Sequence, residues 1–105
     1  FWGNVLEIKK LSSAGTLESS DILIKIEKSE KDGIHIHLDS PVKQQFGDQI
    51  KKVITESAEI VGVKKACVTA IDKGALDCVI KARALTAFYR ACESDDYNWE
   101  LNNER

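Results

Sequence analysis

The chain has 105 residues, 43% hydrophobic and 30% charged, with a formal net charge of −2; this is the profile of one ordinary globular domain able to bury about 65% of its extended surface. A near-neutral balance without a basic face argues against nucleic-acid binding, and no apolar stretch approaches the ~20 residues of a membrane span. Cys67, Cys78 and Cys92 are odd in number, far apart and lack a C-x-x-C pair, which indicates neither a disulfide framework nor a zinc site and suits a reducing cytoplasm.

No methionine is present, and Phe1-Trp2-Gly3-Asn4 is read as a non-native or disordered leader, without the basic and apolar runs of a secretory signal. The domain is expected over residues 5–92. Its first part, 5–20, contains Ser12-Ser13-Ala14-Gly15, small residues that favour an irregular or edge segment. Residues 21–28 then alternate: Ile22, Ile24 and Ile26 share one face, and Lys25 and Glu27 the other, as in a half-buried strand. Asp32-Gly33 is a turn signal that favours positive φ. A second alternating run follows at 33–39, with Ile34, Ile36 and Leu38 opposite His35 and His37, so the two runs predict a β-hairpin.

Ser40-Pro41 predicts a helix start, with Ser40 as cap and Pro41 at the first helical position. Val42, Phe46, Ile50, Val53, Ile54, Ala58 and Val61 follow helical spacing. Gly47 interrupts that stripe and suggests a close approach of helix to sheet, while Gly62 suits the helix end. Val63 to Asp72 reads as a third strand. Lys73-Gly74 leads into a second helix with a stripe of Leu76, Ile80, Ala84, Ala87, Phe88 and Ala91. Residues 93–105 form a polar tail that carries Trp99. The ββαβα order predicts an α+β fold: a small two-layer sandwich, a three-stranded sheet with two helices on one face. Lys25, Glu27, His35 and His37 fall on the other face.

The stretch Gly15-Thr16-Leu17-Glu18-Ser19-Ser20-Asp21 places two adjacent serines between acidic neighbours ahead of the first strand, where a hydroxyl is reachable from outside. His35 and His37 share a strand face as a metal pair would, but no Cys, Asp or Glu is clearly placed with them. There is no Ser-His-Asp order, phosphate loop or paired-carboxylate spacing of a catalytic kind.

Three blocks resemble the acyl carrier (γ) subunits of citrate lyase. Residues 14–21 resemble the modification site of that family. Val42-Lys43-Gln44-Gln45-Phe46-Gly47 is similar to its first helix. Asp72-Lys73-Gly74-Ala75-Leu76-Asp77-Cys78, running on through Lys81-Ala82-Arg83, is similar to the start of its second. The blocks fall in the family's order and span roughly residues 7 to 91.

The resemblance implies a non-catalytic carrier with Ser19, the first serine of the pair, as attachment point. The group is a phosphoribosyl-dephospho-coenzyme A, 2'-(5''-phosphoribosyl)-3'-dephospho-CoA, joined through a phosphodiester. It holds acetyl and citryl as thioesters while citrate is cleaved to acetate and oxaloacetate. The implied partners are an α subunit that transfers the acyl group, a β subunit that cleaves the citryl thioester, and a prosthetic-group transferase. Such an arm needs an accessible anchor more than a deep pocket. Glu18 and Asp21 would bias its anionic phosphates away by ~0.6 kcal/mol at 7 Å in water, before screening. Lys81, Arg83 and Arg90 read as a solvated helix face, with contact to the arm's phosphates or to a partner's acids as the other reading. The carriers of malonate decarboxylase and citramalate lyase are the nearest alternatives. A non-covalent ligand-binding or assembly module is the alternative from a different class.

Overall fold

The computed structural model describes residues 8–92. Six elements follow in order: β1 (Ser12–Ala14), β2 (Ile22–Glu27), β3 (Gly33–Asp39), α1 (Lys43–Val61), β4 (Lys65–Asp72) and α2 (Asp77–Cys92). The fold is α+β as expected, but the sheet has four strands rather than three, in the order β1-β2-β4-β3. The extra strand is the edge segment: Ser12, Ser13 and Ala14 pair antiparallel with Ile26, Lys25 and Ile24. Three residues leave too little alternation for a strand to be legible by pattern.

The expected hairpin between residues 21–28 and 33–39 does not form. β4 lies between β2 and β3, antiparallel to the first and parallel to the second. The five residues 28–32 therefore cross two strand spacings, about 10 Å, over the end of β4. The local turn signal was still sound, since Gly33 has φ +97°. Local chemistry sets the turn, but pairing is decided by β4, thirty residues downstream. The hairpin present joins β1 to β2, and the serine stretch is its tip. Parallel neighbours need a long crossover, which α1 provides between β3 and β4.

Ile22, Ile24 and Ile26 of β2 and Ala66, Val68 and Ala70 of β4 are fully buried on the face shared with both helices. Ile50, Ile54 and Ala58 of α1 and Ile80, Ala84, Ala87, Phe88 and Ala91 of α2 close over them in a single core. The alanines let α2 lie close to the β1 edge, where Ser12 Oγ donates to the Ala87 carbonyl at 2.6 Å and Arg90 Nη1 to the Ser13 carbonyl at 3.0 Å. Gly47 is buried, but a Cβ there would stand 3.3 Å from Lys43 Cγ of its own helix and 3.8 Å from Leu38 Cδ2 of β3, so the spacing to the sheet is an ordinary contact and does not itself require glycine. Gly62 ends α1 in the left-handed region as anticipated.

Two expectations about the helices need correction. α1 begins at Lys43 and its N-cap position, Val42, makes no side-chain cap bond. Ser40 instead accepts from the Val42 N–H at 3.1 Å and donates to Asp72, so it braces the turn ahead of the helix. Phe46 and Leu76 belong to the apolar stripes by spacing but are exposed; Phe46 sits in the first turn of α1 and Leu76 just before α2. The leader and the tail with Trp99 lie outside the described residues.

Candidate functional site

Gly15 opens the serine loop with φ +97°, and a Cβ there would collide with the Ile22 carbonyl oxygen. Only glycine lets the two ends of the loop close at that neck. Beyond it the chain bulges as residues 16–21. Within the bulge, the Asp21 N–H donates to the Glu18 carbonyl at 3.1 Å, closing a four-residue turn with Ser19 and Ser20 at its centre. Ser20 has φ +66°, the one positive φ of a non-glycine residue among those described, as a type II turn requires at its third position.

Asp21 organises this loop. Arg83 of α2 donates to it through Nε and Nη2, both at 3.0 Å. Thr16 Oγ1 donates at 2.7 Å to the same carboxylate, and the Ile22 N–H donates at 2.7 Å. Thr16 Oγ1 in turn accepts from the Glu18 N–H at 3.2 Å. These donors, Arg83 foremost, hold the Asp21 carboxyl well below the usual carboxylate range. The loop is also tied to the β4–α2 connection: the Ser20 N–H donates to the Lys73 carbonyl at 2.8 Å, and the Lys73 N–H to the Asp21 carbonyl at 2.9 Å.

A second aspartate secures that connection. Asp72, 1% exposed, pairs with Ile22 across the sheet. Its Oδ1 accepts from the N–H groups of Gly74 and Ala75, at 3.1 and 2.9 Å, and its Oδ2 accepts from Ser40 Oγ at 2.8 Å. Two aspartates thus bind three loops into one end of the molecule: the hairpin tip, the β4–α2 connection and the approach to α1.

Ser19 is exposed at this end, and no hydrogen bond among the described residues engages its hydroxyl. An exposed, unpartnered hydroxyl on a braced turn fits a covalent phosphodiester link. The site otherwise differs from the sequence expectation. Asp21 is buried and paired, so it is not a free charge facing an arm, whereas Glu18 is exposed. Arg83 is committed to Asp21 and Arg90 to Ser13, while Lys81 stays on the solvated face. His35 and His37 are exposed on β3, and His35 Nε2 lies 3.0 Å from the Asp32 carbonyl. No group of His, Cys, Asp or Glu gathers as a metal site among the described residues.

Sequence reasoning missed the roles of Asp21, Arg83 and Asp72. A signal was available: Asp21 closes the first block of family resemblance, and Asp72 and Arg83 bound the third.

A small α+β scaffold that offers a pair of exposed serines on a braced loop has the layout of a carrier domain. The comparisons agree. A family model described as the malonate decarboxylase delta subunit (MdcD) matches residues 9–91. A citrate lyase acyl carrier protein of Oenococcus oeni is 56% identical over 97 residues, spanning 91% of this chain and 99% of its own. Those of Streptococcus mutans and Lactobacillus acidophilus are 50% and 57% identical, over 90% and 87% of this chain and 93% of each relative. A chain in the crystal structure of a Pseudomonas malonate decarboxylase hetero-tetramer with malonate shares the fold, with TM-score 0.67 and 13% identity over 83% of this chain and 89% of that one. The chain belongs to the citrate lyase acyl carrier protein family, whose members are carriers rather than catalytic subunits.

Proposed function

We propose that this chain is the acyl carrier subunit of citrate lyase and that Ser19 anchors the 2'-(5''-phosphoribosyl)-3'-dephospho-CoA arm. The arm, when attached, supplies a thiol that holds acetyl or citryl as a thioester. The protein's own part is placement. The turn keeps the Ser19 oxygen outside the fold, and the bonds of Asp21 and Asp72 keep that turn fixed to the sheet end. Tethering replaces two bimolecular encounters by intramolecular ones, with effective concentrations around the mM range for short flexible links. The partners in this reading are the acyl-transferring and citryl-cleaving subunits and the transferase that installs the arm, all in the cytoplasm.

The observation that carries the reading is the exposed, unpartnered Ser19 hydroxyl, in a chain 50–57% identical to citrate lyase carriers. Incubation with the transferase and the activated arm, followed by intact-protein mass spectrometry, tests it. One arm-sized addition is expected on the wild type and none on Ser19→Ala. An unmodified wild type would overturn the assignment. The family-model description favours one second reading, a carrier for malonate decarboxylase. Loaded protein that restores malonate decarboxylation but not citrate cleavage in the respective carrier-depleted complexes would establish that reading instead.

A further inference from the structure

Two serines stand side by side at the hairpin tip, and both are exposed. Accessibility therefore does not choose between them; what differs is how each is held. The Ser20 N–H is tied to the Lys73 carbonyl and its backbone sits at φ +66°. An L-residue persists in that region only where its surroundings over-determine it. The surroundings here are the Glu18–Asp21 turn bond, the two bonds between the loop and Lys73, and the Asp21 carboxylate with its Arg83 fork. Ser19 has no such tether.

We propose that Asp21 and Arg83 are positioning residues that decide which of the two serines takes the arm, by fixing the turn that offers Ser19 and withholds Ser20. The inference rests on the carrier reading above. In the modification step the Ser19 Oγ–P bond forms on a donor that carries the arm as a phosphoric anhydride. The anhydride P–O bond breaks, the phosphate leaving group takes the electron pair, and the hydroxyl proton passes to a base or to water. The attacking oxygen must lie in line with the breaking bond, and misplacement by ~1 Å costs such a step about 100-fold. Asp21 and Arg83 touch neither donor nor reacting atoms. They act through the turn.

The test combines rate with site mapping by peptide fragmentation, using the full chain, its transferase and the activated arm. The wild type is expected to load on Ser19 alone. Asp21→Asn and Arg83→Ala are expected to load about 10- to 100-fold more slowly, in kcat more than in KM, with part of the label on Ser20. Arg83→Lys, which keeps the charge but not the fork, is expected to recover rate while still leaking label to Ser20. Ser19→Ala, with both positioning residues intact, is expected to stay unlabelled, and Ser19→Ala combined with Asp21→Asn to gain label on Ser20. Ser19→Ala disturbs no bond of the loop, so it decides the matter even if the Asp21 and Arg83 variants fold poorly. Label on Ser20 in Ser19→Ala at near the wild-type rate would overturn the inference, as would wild-type rate and fidelity in folded Asp21→Asn and Arg83→Ala. Either result would leave the carrier assignment standing. A wild type that loads on neither serine would overturn both.

Discussion

Arg83 forks onto Asp21 with two hydrogen bonds of 3.0 Å across 62 positions of sequence, joining α2 to the tip of the β1–β2 hairpin. A bidentate guanidinium–carboxylate pair is directional as well as attractive. It fixes where the loop sits as well as that it stays folded.

The pair makes stability depend on acid in a defined sense. The Asp21 carboxyl is lowered in the folded state, first by Arg83 and then by Thr16 and the Ile22 N–H. An unfolded Asp titrates near ~3.9, so in acid the unfolded chain binds the extra proton first. The contribution is thus fully present above about pH 5 and is lost as pH falls through ~3.9 toward the folded value. Thermal melts of the wild type and Asp21→Asn should differ most at pH 7, and the gap should narrow progressively as pH falls below about 4. A gap that stayed constant with pH would assign the difference to packing instead.

Asp72 bears a different kind of load. It is buried and serves three donors from two loops. Asp72→Ala would strand those donors, and each that stays buried without a partner costs about 1–3 kcal/mol. Asp72→Asn keeps an acceptor oxygen and should lose less. Urea denaturation of both variants checks the ranking. Equal stability of wild type and Asp72→Ala would mean that water replaces the carboxylate at no cost.

These two aspartates also mark where the sequence stopped being legible. β2, β3, β4 and both helices were readable because each buries a periodic stripe, as Ile22-Ile24-Ile26 and Ala84-Ala87-Phe88-Ala91 do. The exposure of Ser19 was readable from its place between elements, and the turn produces it. Strand adjacency was not readable. The pattern of β2 and β3 is the same whether they pair with each other or with β4, and β4 wins because it buries Ala66, Val68 and Ala70 between the two isoleucine runs. Nor was the Asp21–Arg83 contact, since an acidic residue beside exposed serines looks solvated until the helix 62 residues on is placed.

The neck of the loop gives a sharp contrast between glycines. Gly15 and Gly74 have nearly the same φ, +97° and +94°, but a Cβ at Gly15 meets the Ile22 carbonyl whereas one at Gly74 meets nothing within 4 Å. Gly74→Ala should cost only the left-handed backbone penalty, about 1–2 kcal/mol. Gly15→Ala adds a backbone collision and should cost clearly more, with the β1–β2 pairing lost first. Denaturation midpoints together with amide exchange at Ile24 and Ile26 would separate the two. Similar costs would show that the neck can open without harm.

Ser20 offers the reverse case, a left-handed position without glycine. The φ of +66° costs an L-residue about 1–2 kcal/mol, and glycine removes that penalty while adding about 0.5–1 kcal/mol of chain entropy on folding. Ser20→Gly should therefore be more stable than the wild type by up to about 1.5 kcal/mol. Ser20→Ala, which keeps a Cβ and so keeps the penalty, should be near neutral because the Ser20 hydroxyl makes no hydrogen bond among the described residues. Chemical denaturation of the three proteins side by side measures the difference. If the glycine and alanine variants were equally stable, the turn would not hold residue 20 at positive φ, and the restraint attributed to Lys73, Asp21 and Arg83 would lose its clearest physical sign.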